Sequence, residues 1–209
     1  MKTIKQLLIT IAVLLCSATA SAYDFEVDGI YYNILSMSDL AVEVTNGDYE
    51  YSGEVIIPET VVYKSKVLKV TSISPYAFYG CEYLTNVVIG NNVTSIPPYA
   101  FYGCEYLTNV VIGNSVTSIG KEAFYYCEGL TNIEIPNSVT SIGEFAFYYC
   151  VDLTSIKIPN SVTSIGDNAF NTCRSLKELC IEDGTETLSL GYNKVYNSIF
   201  QDCPLETYI

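Results

Sequence analysis

Cysteine and tyrosine are the side chains of this sequence best suited to chemistry: it holds 8 Cys and 19 Tyr, and no histidine. Without an imidazole, Ser-His-Asp and Cys-His catalysis in their usual forms are excluded, as are most zinc sites. Cys81, Cys104, Cys127, Cys150 and Cys173 stand 23 residues apart, too far for the paired ligands of a zinc motif. They share one position on an apolar face, where a free thiol behaves as a small hydrophobe, so they read as a ladder of core thiols. Cys180 and Cys203 fall off this ladder and form the only pair for which a disulfide is considered. No glycine-rich phosphate cradle and no EF-hand pattern occurs. The acidic residues do not recur in a common inward row, so no glycosidase pair is assigned. The chain reads as a non-enzyme, with no catalytic residue, metal site or cofactor.

The elements that place these residues come from one sentence repeated five times between Pro75 and Ile181. Ala77-Phe78 recurs as Ala100-Phe101, Ala123-Phe124, Ala146-Phe147 and Ala169-Phe170. Leu84 and Ile89 recur with the same step. A fixed period between 20 and 50 residues marks a solenoid. Within a repeat, Ala77, Phe78, Cys81 and Leu84 sit at i, i+1, i+4 and i+7, which predicts one face of a short helix. Pro75, Pro98, Gly120, Gly143 and Gly166 bound those helices on their N-terminal side. Leu84, Val87 and Ile89 point inward from a strand, and Val93 and Ile96 from a second short extended run. Stacked coils would join strand to strand at about 5 Å. The expected fold is an α/β solenoid of 23-residue coils, each a strand, a short extended segment and a short helix.

Three segments frame the array. Residues 1–22 read as a signal peptide: Lys2 and Lys5, an apolar run from Leu7 to Leu15, then small residues before a cut after Ala22. Residues 23–74 read as a β-rich N-terminal cap of hairpins turning at Asp28-Gly29, near Asn46-Gly47 and near Lys64-Ser65-Lys66. A cap is needed because a solenoid end exposes an apolar cross-section. Residues 75–209 hold five full repeats and a partial sixth. Phe200 and Cys203 resume the phase after a seven-residue insertion, and the text stops at Ile209, where the next strand is due. That leaves an end able to pack on a partner or a second copy. Removal of the leader leaves 8 basic against 23 acidic residues, a net of −15. Such a balance excludes nucleic acid and anionic membrane surfaces. No apolar stretch after Ala22 is long enough to span a bilayer.

Two surface rows are binding candidates. On the strand face, Asn86, Asn109, Asn132 and Ser155 lie beside Val88, Val111, Glu134 and Lys157, a row that grades from apolar to charged. On the exposed side of the predicted helices stand Tyr79, Tyr102, Tyr125 and Tyr148. Tyrosine gives contact area at low entropic cost. The same row also serves if each ring merely covers its neighbour.

The stretch Ala146–Gly166, "AFYYCVDLTSIKIPNSVTSIG", resembles the BspA-like (Treponema-type) leucine-rich repeat. The resemblance implies a right-handed curved solenoid on secreted or cell-surface bacterial proteins. It also implies adhesion to host proteins such as fibronectin, cell attachment, and aggregation between bacteria. The partner expected is an extracellular or host matrix protein, or another cell-surface protein. Self-association through the C-terminal end and sugar binding by the tyrosines are the alternatives.

Overall fold

The computed structural model describes residues 22–181, 189–190, 199–205 and 207–208. Residues 1–21 of the expected signal peptide, which runs to Ala22, and most of the sixth-repeat insertion lie outside the described residues. Among the described residues there are seventeen strands and no helix. None is therefore long and apolar enough to cross a membrane.

The N-terminal sheet has five strands in the order Phe25–Val27, Ile30–Ser36, Ala41–Thr45, Lys66–Ile73, Thr60–Tyr63. Two of the predicted hairpins form. Asp28 and Gly29, both at positive φ (52° and 77°), turn the first. Lys64 and Ser65 (47° and 62°) turn the second, with Tyr63 opposite Lys66. Positive φ at both central residues gives the twist that matches antiparallel strands.

The hairpin expected around Asn46-Gly47 does not form. Ala41–Thr45 pairs in parallel with Lys66–Ile73 instead, and Gly53–Ile57 pairs in parallel with Leu84–Ile89. Gly47 has a different role: the Tyr31 ring fills the space where its Cβ would stand. The repeat ladder thus begins inside residues 23–74.

That ladder continues through Asn109–Val111 and Asn132–Ile133. A single bridge, Glu134 to Lys157, carries it to Ser155–Ile158, then Glu178–Ile181 and Thr207–Tyr208. On the opposite side runs a second parallel ladder: Ser95–Ile96, Ser118–Ile119, Ser141–Ile142, Ser164–Ile165 and Ser189–Leu190. Between the ladders lies one continuous core of the repeated Ala, Phe, Cys, Leu, Val and Ile. Phe78, Phe101, Phe124, Phe147, Phe170 and Phe200 stack with centroids 4.8–5.3 Å apart. At the N-terminal end Tyr51 covers Phe78 at 4.6 Å. Its hydroxyl donates to the Thr45 carbonyl at 2.6 Å and accepts from the Tyr31 N–H at 3.0 Å. A buried polar tip is tolerable only with such partners.

The predicted short helices are corrected to runs of turns. In the first coil, Ala77 N–H donates to Ser74 O, Tyr79 to Tyr76 O and Cys81 to Phe78 O, each three residues back. Between them, Phe78 N–H donates forward to Ala100 O and Gly80 N–H to Tyr102 O, in the next coil. An α-helix would spend every one of these donors within its own segment. Here alternate donors are committed to the neighbouring coil. Positive φ at Tyr76 (63°) and Gly80 (69°) sets the turns. The later coils hold Tyr99, Glu122, Phe145 and Asn168 at the equivalent of Tyr76.

Candidate interaction surfaces

The strand face is built by alternation. Val87, Val110, Ile133, Ile156 and Leu179 point into the core, so their neighbours point out. Register fixes two outward rows. One holds Asn86, Asn109, Asn132, Ser155 and Glu178, the other Val88, Val111, Glu134, Lys157 and Cys180. The structure therefore brings all eight predicted strand-face residues onto one surface. It adds two that the sequence reading missed: Glu54 opposite Asn86 and Ile56 opposite Val88. Ile56 is 57 % exposed and Val111 49 %, so the second row is apolar and open at its N-terminal end, beside Glu54, Asn86 and Asn109 in the first. The C-terminal half carries charge. There Asn132, Glu134, Ser155, Lys157, Glu178 and Cys180 line a depression of about 460 Å³.

Tyr79, Tyr102, Tyr125 and Tyr148 form a continuous stack, with centroids 4.9, 4.8 and 4.7 Å apart and planes within 17°. Tyr126 lies edge-on to Tyr125 at 4.7 Å, and Tyr149 edge-on to Tyr126 at 4.7 Å. The row thus covers its own faces and shows its edges. Burial, and then neighbouring phenols and the Glu122 carboxylate, push the Tyr102 phenol up. Burial pushes Tyr125 up strongly. Tyr102 and Tyr125 therefore offer hydroxyls, not charge, at physiological pH.

The five ladder thiols are inert, whereas the hydrogen bond with Cys173 lowers the Cys203 thiol. The five ladder cysteines are buried and free, and Cys180 and Cys203 are free and half-buried. Desolvation pushes the Cys81 thiol up to about 11 and drives Cys104, Cys127 and Cys150 higher. A nucleophile or metal ligand needs the thiolate. Among the described residues no group of His, Cys, Asp and Glu could hold a metal ion.

The sequence profile of the BspA type leucine-rich repeat region matches residues 71–206 in six copies. The chain belongs to the BspA-type leucine-rich repeat family. Solved structures of similar proteins agree with this. A leucine-rich repeat protein from Bacteroides ovatus is 39 % identical, with a TM-score of 0.70 over 75 % of this chain and 41 % of its own. A leucine-rich cell surface protein from Faecalibacterium prausnitzii is 28 % identical, with a TM-score of 0.69 over 92 % and 55 %. The leucine-rich repeat protein of T. pallidum is 25 % identical, with a TM-score of 0.63 over 80 % and 86 %. The chain thus spans 41 % of the first relative's length. No curated protein matches it. A BspA-type array is a repeat scaffold suited to protein–protein interaction, with extended surface rows.

Proposed function

We propose that this protein is an exported, adhesin-like interaction module. Its strand face binds an extracellular or host matrix protein, or another cell-surface protein. Asn86, Val88, Asn109, Val111, Asn132, Glu134, Ser155 and Lys157 make the contacts. The observation that carries this reading is the graded outer row: open apolar side chains at Ile56 and Val111, then a depression that Glu134, Lys157 and Glu178 line with charge beside Ile133, Ile156 and Leu179. Exposed apolar area rimmed by polar groups is the signature of a contact surface. The rigid ladder pre-organises it, which cuts the ordering cost of binding.

The tyrosine stack fits sugar binding less well. A pyranose needs an open ring face, and the faces along this row are covered by one another. The test is titration of the purified protein against immobilised matrix proteins, glycans and whole cells. Saturable binding to a protein ligand is the expected result. Binding to glycans alone, or self-association alone, would overturn it.

A further inference from the structure

A second tyrosine row runs beside the first with a different design. Tyr106 N–H donates to Glu82 O, Gly129 N–H to Glu105 O and Asp152 N–H to Glu128 O. These bonds hold two files in register along the coils: Glu82, Glu105, Glu128, and next to it Tyr83, Tyr106, Gly129. Tyr83 and Tyr106 are 65 % and 57 % exposed, among the most open large side chains on the repeats. Their rings are parallel at 6.0 Å. Beyond Tyr106 the file has no ring, because the next residue is Gly129. One face of the Tyr106 ring therefore has no aromatic partner in the next coil, and Glu105 and Glu128 directly precede Tyr106 and Gly129 in the chain.

We propose that this face docks an arginine side chain presented by a basic partner protein. Charge complementarity selects the occupant. The chain after its leader carries a net of −15, and the two files hold three glutamates and no basic residue from Glu82 to Gly129. A cation over a tyrosine face gains from the ring quadrupole as well as from the carboxylates, and a planar guanidinium stacks where an ammonium cannot. The molecule shows the contact once itself. Its single arginine, Arg174, continues the Glu82 file and lies over the Tyr149 ring at 5.4 Å. A second copy is a poor occupant, since it brings the same negative charge and its arginine is already engaged.

The test is calorimetric titration of the purified protein with octa-arginine and octa-lysine peptides at physiological salt. Tyr106→Leu, Glu105→Gln with Glu128→Gln, and a strand-face variant with Asn109, Val111, Asn132 and Glu134 all changed to alanine are compared with the parent. Both altered files are on the surface, so unchanged melting curves confirm that the variants fold. Octa-arginine should bind more tightly than octa-lysine. Tyr106→Leu should weaken octa-arginine roughly four-fold and erase the preference. The double glutamine variant should weaken both peptides. The strand-face variant should match the parent, which separates this surface from the one proposed above. Equal binding of the two peptides, an unaffected Tyr106→Leu, or a concentration-dependent dimer lost in Tyr106→Leu would each overturn the proposal.

Discussion

The thiol of Cys104 donates to the carbonyl of Phe78 at 3.1 Å, across the boundary between two coils. That carbonyl already accepts the N–H of Cys81 at 3.2 Å. The pattern recurs at Cys127 with Phe101, Cys150 with Phe124, Cys173 with Phe147 and Cys203 with Phe170, so Cys203, expected off the ladder, continues it. Cysteine is thus small enough for the stack and supplies a weak donor to a carbonyl's second lone pair. Cys127→Ala should cost about 1–2 kcal/mol, from lost packing and the lost donor. Urea unfolding by circular dichroism reads this directly.

Alkaline pH should unfold the protein through the five buried thiols of Cys81, Cys104, Cys127, Cys150 and Cys173. Their native pKa is raised, so above the ordinary value of 9.0 the folded state holds protons that the unfolded chain releases. Stability should be flat below pH 9 and fall as pH rises from 9 towards about 11, the value for Cys81. The slope should be about 1.4 kcal/mol per pH unit for each thiol still protonated only in the fold. At neutral pH, Ellman's reagent should label Cys180 and Cys203 quickly and the five ladder thiols only on unfolding.

Gly143 sets how closely two coils approach. A Cβ there would stand 2.6 Å from the Gly120 carbonyl carbon and the Lys121 nitrogen, and neither is a flexible side chain. Gly143→Ala should cost about 3 kcal/mol, the upper end for an overpacked site. A glycine-to-alanine change at an open position would stabilise instead, so the sign of the shift in melting temperature decides the matter.

The period, the inward residues and the outward rows were legible because each recurs at one step. The Ala-Phe-Cys segment was read as a helix because its apolar spacing of i, i+4, i+7 is helical. The spacing could not show that Phe78 and Gly80 bond to the next coil, nor that Glu122 and Phe145, residues with no turn signature, hold positive φ (53° and 54°). Glu54 and Ile56 were missed for another reason. Ile57 pairs with Ile89, 32 residues on, because the hairpin of Thr60–Tyr63 with Lys66–Ile73 is inserted in that coil and hides the 23-residue phase. The motif "VIIP" ending at Pro58, echoed by "IEIP" ending at Pro136, was the available signal.

Tyr102 lies between Tyr79 and Tyr125 at 4.9 and 4.8 Å. Each such stack contributes about 0.5–1.5 kcal/mol. Tyr102→Leu should therefore lower stability by about 1–3 kcal/mol in chemical denaturation. Ligand binding by the strand face should stay unchanged, since the row is chiefly a seam between coils.

The most direct test of the interaction account compares two matched variants against the same protein ligand. One carries Asn109, Val111, Asn132 and Glu134 changed to alanine, and the other carries Tyr79→Leu with Tyr148→Leu. The account predicts that binding is lost in the first and retained in the second, with both folded. Binding retained in the alanine variant and lost in the tyrosine variant would contradict it and move the contact surface to the turn side of the coils.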